Sequence, residues 1–421
     1  MIMHTYEPVG RNQQYIKLLN RAVIYRTIRE TGSISRAELA LRTGLNPATL
    51  THITRELLEQ GLILEAGFGD SRGGRRRSLL RIRSDHGYII AIRLARNNIQ
   101  GMLTDLDLRQ VRRKTIQAST FVNHPLKITM PAMLALIHNL IEDSGLEPDQ
   151  ILGIGISAPG PLDARQGVLI APPNFPGWPS TPLREIVENE THLPTFLDND
   201  ANAAALAEKW FGAGRELDNF VFLLVDEGVG GGLVIDGDIY RGEHDVAGEI
   251  GHTSIDFDGI RCDCGNTGCL EIYAEPSVAV NYARQALLAG QVSQLCEWVT
   301  DPEDLKFDHI IQAYHKQDEL AVAAIDKILS PLAVGVVNAI NTFDPQAVII
   351  GGRLSQLGES LLDRLAPMVA ERAMSHGEMT VRFLISNLGY EAPTIGAFSL
   401  VLRELFQNPE FHTGKAHQIA F

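Results

Sequence analysis

Between positions 252 and 269 the chain carries one histidine and three cysteines: His252, then Cys262, Cys264 and Cys269 in the run CDCGNTGC. Three thiolates and an imidazole are a ligand set for tetrahedral zinc. Gly265 and Gly268 let the backbone fold tightly around such an ion. Four protein ligands leave no open position, so the expected Zn2+ is structural and pins a loop. Cys296 stands alone in a helical pattern and is expected to be a small buried residue. A second group suits hydroxyl recognition. Asn199-Asp200 falls where a strand-like run meets a helix, with Asn202 and Glu208 further along it, and Glu249, His252 and Glu271 bracket the cysteine loop. Carboxylates accept from neighbouring hydroxyls and amides both donate and accept, so such groups converging on one pocket bind polyols.

The elements that must position these groups are legible in the surrounding texture. YIIAIRL, QGMLTDLD and VRRKTIQA read as three consecutive strands, and residues 131–144 as a helix. ILGIGISAPGPLD is a buried strand running into a Gly/Pro loop, and PTFLDNDANAAALAEKWFG a strand, a polar elbow and an Ala-rich helix. NFVFLLVDEGVGGGLVIDGDIYRG reads as a hairpin with a Gly-rich turn, a helix follows Glu275, another spans 330–342, and AVII runs into Gly351-Gly352. Alternating strands and helices with glycines at strand ends predict an α/β body with a ligand cleft beside those loops.

The first 84 residues read differently. Ile16, Leu19, Val23 and Ile28 recur at helical spacing and predict one buried helix face. Ser35 with Glu38 is a capping-box pattern, Gly44 permits a tight turn, and Asn46-Pro47 suits the start of a second helix to about Gln60. Its Leu50, Ile53, Leu57 and Leu58 point inward. Two short helices around a Gly turn are a helix-turn-helix, whose second helix enters a DNA major groove. The residues assigned to DNA contact are Ser35 and Arg36, then Pro47, Ala48, Thr49, Thr51, His52 and Arg55. Two strand-like runs flank a loop carrying Arg72, Arg75, Arg76 and Arg77, which reads as a winged-helix wing that neutralises phosphates.

Charge separates the two regions. The chain has 421 residues and a net charge of -14, but residues 1–84 hold 14 Lys+Arg against 7 Asp+Glu. A basic head on an acidic body predicts that only the head meets a polyanion. The hydrophobic fraction of 45% and charged fraction of 21% exclude a disordered chain or a fibre. No apolar run of the ~18–20 residues needed for a membrane span is expected. With four Cys, three of them clustered as ligands, and no visible secretory signal, a cytoplasmic location is expected.

From Gly10 to about Leu402 the chain resembles the ROK family (repressors, open reading frames, kinases), in its repressor branch. NPATLTHITRELLEQGLI and GGRRRSLL carry the likeness in the head; GISAPGPLD, APPNFPGW, LDNDANAAALAE, AGEIGH, CDCGNTGCLE and DPQAVIIGGRLS carry it in the body. The resemblance implies a winged helix-turn-helix over residues 1–84. Residues 85–421 would form a two-lobed, sugar-kinase-like body of the actin-like ATPase and ribonuclease H-like fold, which binds effector and self-associates. It also implies that Asn174, Asn199, Asp200, Glu249, His252 and Glu271 line a sugar site. In family kinases the carboxylate matching Asp200 is the general base, and the family's zinc ligands match His252, Cys262, Cys264 and Cys269. His252 would then hold zinc and touch sugar.

Both phosphate loops depart from the kinase pattern. Where an Asp-x-Gly-x-Thr loop is expected the chain has Arg93 to Asn97, and the second loop reads Asp226-Glu227-Gly228-Val229-Gly230. Two carboxylates there are expected to repel a triphosphate, and phosphoryl transfer depends on positioning and charge neutralisation. No catalytic residue is therefore assigned. The expected function is a homo-oligomeric DNA-binding regulator, most simply a repressor of carbohydrate-use genes, whose operator affinity is set by a sugar or sugar derivative. An active sugar kinase, or a regulator controlled by a protein such as a transporter component, are the competing readings.

Overall fold

A computed structural model describes residues 10–68, 78–117, 126–172, 175, 178–374 and 381–407. The head comprises α1 (Gly10–Thr31), β1 (Ile34–Ser35), α2 (Arg36–Thr43), α3 (Pro47–Glu59), β2 (Ile63–Phe68) and β3 (Ser78–Ile82). Local chemistry sets its boundaries. The Ser35 hydroxyl accepts from the Glu38 N–H and starts α2, and Gly44 ends it in the left-handed region at φ 67°. The Asn46 side chain accepts from the Ala48 N–H and Pro47 opens α3. Only half of the capping box forms, because the Glu38 carboxylate turns to Arg42 at 3.1 Å. β3 pairs antiparallel with both β1 and β2, closing the three-stranded sheet of a winged helix.

The buried face of α1 differs from the expected one. Ile16 is exposed and Leu19 and Val23 are half-buried, while Leu18, Ala22, Ile24, Tyr25 and Ile28 are buried. The reason is that α1 packs on two sides at once, against α2, α3 and β3 of the head and against helices of the body.

The body has two lobes, each built on a five-stranded sheet. In the first, β4 (Tyr88–Leu94), β5 (Asn98–Asp105) and β6 (Gln110–Gln117) form an antiparallel meander. After α4 (Leu126–Glu142), β7 (Ile151–Ala158) joins parallel to β4. Two short strands follow, β8 (Leu162–Asp163) and β9 (Val168–Leu169). Then α5 (Leu183–Thr191) leads to β10 (Thr195–Asn199), parallel to β7. α6 (Asp200–Phe211) crosses to the second sheet. There β11 (Phe220–Val225), β12 (Val229–Ile235) and β13 (Asp238–Ile239) are antiparallel neighbours. The cysteine loop, α7 (Leu270–Ala274), α8 (Pro276–Leu288), α9 (Leu295–Trp298), α10 (Phe307–His315) and α11 (Glu319–Phe343) follow. β14 (Ala347–Gly351), α12 (Glu359–Ala370) and β15 (Arg382–Ile385) complete that sheet, and α13 (Ala392–Gln407) returns to the first. Both sheets thus repeat one plan, three antiparallel strands and then two parallel ones.

α6 lies on β11 and β12, α13 lies on β4, β7 and β10, and the two helices pack on each other between the lobes. Small residues allow this. A Cβ on Gly396 would fall on the Ala203 carbonyl, and one on Gly232 would meet Ala201 O and Ala205. α11 is 25 residues long and, among the described residues, is the one helix long and apolar enough to cross a membrane. Its place explains its composition, since Leu320, Ile325, Ile328, Leu332 and Val336 are core residues of the second lobe. Cys296 is exposed rather than buried, because the four-residue α9 buries Leu295 and turns its neighbour outward.

Candidate functional site

The cleft between the lobes is lined by Arg93, Pro159, Gly160, Asn199, Asp200, the 226–230 turn, Glu249, His252 and Glu271. The elbow between β10 and α6 places two of these. The Asn199 side chain caps α6, accepting from the Ala201 and Asn202 N–H groups. Asp200 Oδ1 accepts from Ala201 N–H at 2.8 Å. Burial raises the Asp200 carboxyl to about 6, with Asp226 and Glu249 adding to the rise and Arg93 and the Ala201 N–H opposing it. Burial likewise raises Glu249, which His252 opposes and Glu271 reinforces. From the opposite wall, Glu271 Oε2 accepts from Val229 N–H at 2.9 Å, holding the glycine turn against α7.

His252 joins this cleft to the cysteine loop. Its Nδ1 lies 3.8 Å from Cys262 Sγ, and its Nε2 lies 3.9 Å from Glu249 Oε2. Cys264 and Cys269 sulfurs are 3.6 Å apart, and the four candidate ligand atoms all fall within 4.8 Å of one another. That spacing fits a tetrahedral ion with bonds of ~2.0–2.3 Å. By donor chemistry and by geometry the cluster could hold a metal ion. Asn266 and Cys269 both bond the His252 carbonyl, so the loop also fixes the ring from behind.

Five of the six residues expected at a sugar site thus share one cleft, and the sixth, Asn174, lies outside the described residues. Glu208 does not join them. It sits at the far end of α6, where its carboxylate accepts from Ser386 Oγ and the Ala213 N–H.

The phosphate loops hold an arrangement that the sequence reading missed. Arg93 and Asp226 form an ion pair across the cleft, their side chains only 2% and 4% exposed. Asp226 also accepts from Arg353 at 3.0 Å, and both guanidiniums lie over the Tyr390 ring, at 4.6 and 5.5 Å. Tyr390 Oη in turn accepts from Gln100 at 2.9 Å. Asp226 therefore does not face the cleft as a free repelling charge, as its position suggested. The pair fills the space instead. Burial is the largest influence and opposes the Arg93 charge, and Asp226, Tyr390 and Asp200 together outweigh it. The signal was present, since two loops had exchanged their usual residues for opposite charges.

In the head, Pro47, Ala48, Thr49, Thr51, His52 and Arg55 form one exposed face of α3. Arg55 lies 3.2 Å from His52 Nδ1 and 3.8 Å from Glu59. Ser35 is buried in its capping role, and Arg36 bonds Glu65 of β2 at 3.0 Å, bracing the wing. Arg72, Arg75, Arg76 and Arg77 lie outside the described residues.

A winged helix on a two-lobed body with a carboxylate-lined cleft and a Cys/His cluster is the architecture of a DNA-binding regulator with a sugar-kinase-like body. The chain belongs to the ROK family, whose model matches residues 89–404, and a winged helix-turn-helix DNA-binding model matches residues 23–63. It is 32% identical over 404 residues to the xylose repressor of Caldicellulosiruptor bescii, covering 95% of this chain and 99% of that protein. Among solved structures it resembles a ROK family transcriptional regulator, a homologue of the E. coli MLC protein. That match has a TM-score of 0.74 and 27% identity, and covers 96% of this chain and all of that one. The body alone resembles a ROK family glucokinase from Streptomyces griseus solved with glucose and AMPPNP, with a TM-score of 0.65 and 29% identity, covering 74% of this chain and 98% of that one.

Proposed function

We propose that this protein is a transcriptional repressor whose grip on operator DNA is controlled by a free, unphosphorylated sugar. The observation that carries this reading is the pairing of Arg93 with Asp226 in the same cleft as five of the six residues expected at a sugar site. The sugar half of a kinase site is kept, and the phosphate half is cross-linked shut. The relatives named as repressors support the DNA-binding half of the reading. Phosphoryl transfer needs a cradle that neutralises the transferred group, and here Arg93 of the first loop is already engaged by Asp226 of the second. The protein acts as a sensor rather than an enzyme.

The charge of the cleft favours a neutral ligand. Asp200, Glu227, Glu249 and Glu271 line it against the one further guanidinium of Arg96, and Arg93 is spent on Asp226. Four carboxylates accept sugar hydroxyls well and repel a phosphate ester. Zn2+ would be held by His252, Cys262, Cys264 and Cys269, and its chemistry there is to fix the loop that aims His252 and Glu249. The assembly is a homodimer with two α3 helices on neighbouring half-sites, in the same compartment as the chromosome.

The test is thermal unfolding of the metal-loaded protein with D-xylose, D-glucose, their phosphates and ATP, and Asp200→Ala as control. A sugar at ~100 times its Kd adds ~2.7 kcal/mol. A shift with a free sugar, absent in the variant, is expected. A shift with ATP and coupled ADP release would overturn the reading in favour of a kinase.

A further inference from the structure

The helix that anchors the DNA-binding head rests on both lobes of the body. Arg21 of α1 donates to the Phe406 carbonyl at the end of α13, and Tyr25 donates to the Leu106 carbonyl beyond β5. Both contacts belong to the first lobe. Eight residues on from Arg21, Arg29 lies over the Phe211 ring at the end of α6, 5.4 Å from its centroid, and Glu30 pairs with Arg215. Those contacts belong to the end of the helix that rides on the second lobe and to the loop that follows it. Arg29 Nε also donates to the Asp107 carbonyl at 3.1 Å, so this one side chain touches both sides.

α6 and α13 run from the cleft to the head. Their first turns are near Asp200 and Tyr390, and Phe211 and Phe406 stand at their far ends. Between these ends they pack tightly at Ala203 and Gly396, where a Cβ on Gly396 would fall on the Ala203 carbonyl. α6 is about 18 Å long at ~1.5 Å per residue, so it is a stiff bar and not a flexible linker. On the other flank of α1, the Arg21 guanidinium reaches Glu56 at 3.0 Å and Gln60 at 3.2 Å on α3. One apolar cluster continues from Leu50, Ile53 and Leu57 of α3, through Tyr25 and Ile28, to Ala201, Ala204 and Ala205 beside Asp200.

We infer that α1 is a lobe-position sensor. The two lobes turn about the Ala203–Gly396 contact, and closing the sugar cleft at one end of α6 and α13 displaces Phe211 relative to Phe406 at the other. α1, held to both ends, tilts and carries α3 with it. Arg29 and Arg215 carry the coupling and not the DNA binding itself: they tie the head to the end of α6 and the loop that follows it. This inference rests on the sugar-responsive reading above, and adds the route by which the cleft reaches the recognition helix.

The test uses the full-length metal-loaded protein, a fluorescent DNA fragment obtained by selection against it, and D-xylose and D-glucose as probes. Operator Kd is measured with and without sugar, and sugar Kd separately, for wild type and for Arg29→Met with Arg215→Ala. The Arg29 and Arg215 side chains are half-exposed, so the variant is expected to fold, which its melting temperature checks. In wild type a sugar is expected to weaken operator binding ~10–100-fold. In the variant both separate affinities stay within ~3-fold of wild type while the sugar effect falls below ~3-fold. A variant that keeps the full sugar effect overturns the sensor role of α1 and leaves the repressor reading standing. A wild type whose operator affinity ignores a bound sugar overturns both.

Discussion

Arg93 and Asp226 stand in the two loops that cradle phosphate in the family's kinases, and here they cradle each other. Neither residue alone makes sense of the change. An arginine in place of the first loop's carboxylate would be an unpaired buried cation, and an aspartate in the second loop an unpaired buried anion. Together with Arg353 and Tyr390 they form a closed set that spans the lobes.

Removing one partner should therefore cost far more than removing both. Asp226→Ala leaves the Arg93 guanidinium buried beside Arg353 and is expected to lower unfolding free energy by ~3–5 kcal/mol. The double replacement Arg93→Met with Asp226→Leu is expected to recover most of that loss, because an apolar pair of similar volume avoids the desolvation cost. Urea denaturation reads both, and equal losses in the two proteins would refute the pairing.

Sugar affinity should depend on pH through Asp200. Its carboxyl stands at about 6 in the fold against 3.8 when unfolded, so the folded protein binds this proton more tightly. Ionisation of Asp200 consequently costs stability as pH rises from about 4 to 6, and the full cost is present above that. The ionised form is the better acceptor for sugar hydroxyls. Sugar Kd is expected to be flat above pH 7 and to rise ~10-fold per pH unit below about 6. Calorimetry from pH 5 to 8 checks this. Asp200→Asn should bind weakly with no such slope, yet melt higher at pH 7 than wild type.

The cysteine cluster makes a prediction about metal content. Cys264 is exposed, so replacing it with serine disturbs packing little. Cys264→Ser is expected to lose most of its zinc by elemental analysis, and wild type treated with a chelator should lose sugar affinity as His252 and Glu249 come adrift. Undiminished zinc in the variant would remove Cys264 from the ligand set.

On DNA, Arg55→Ala is expected to weaken operator binding by ~1–3 kcal/mol and to lower the salt dependence if the contact is to phosphate. Leu41, equally exposed but on α2, serves as a control whose replacement by Ser leaves affinity unchanged. A gel shift that does not distinguish Arg55→Ala from wild type would take Arg55 out of the interface.

The head and the metal cluster were legible from the chain because their signals are local. A cap, a turn glycine, an Asn-Pro start and four ligands in one loop are readable within a few residues of each other. A cleft beside the strand ends was legible from the chain, but that Asp200, Glu249 and Glu271 share it followed only from resemblance, since they come together across the two lobes. What escaped was set by packing at long range. The phase of α1 follows from its contact with α13, which is joined to it by most of the chain, so Leu18 and Tyr25 are buried where Ile16 and Val23 were expected. The Arg93–Asp226 pair, 133 positions apart, shows as two separate losses until the lobes are assembled. Cys296 was misjudged because burial in a four-residue helix follows its neighbours and not its periodicity.

The most direct test of the central claim is a titration of the full-length, metal-loaded protein on its selected operator fragment with free sugar, sugar phosphate and ATP. The account predicts that one free sugar raises operator Kd ~10–100-fold, that this response disappears in Asp200→Ala, and that sugar phosphate and ATP do nothing. A sugar that binds tightly at Asp200 and leaves operator affinity unchanged, or an ATP-dependent conversion of that sugar to its phosphate, would contradict it.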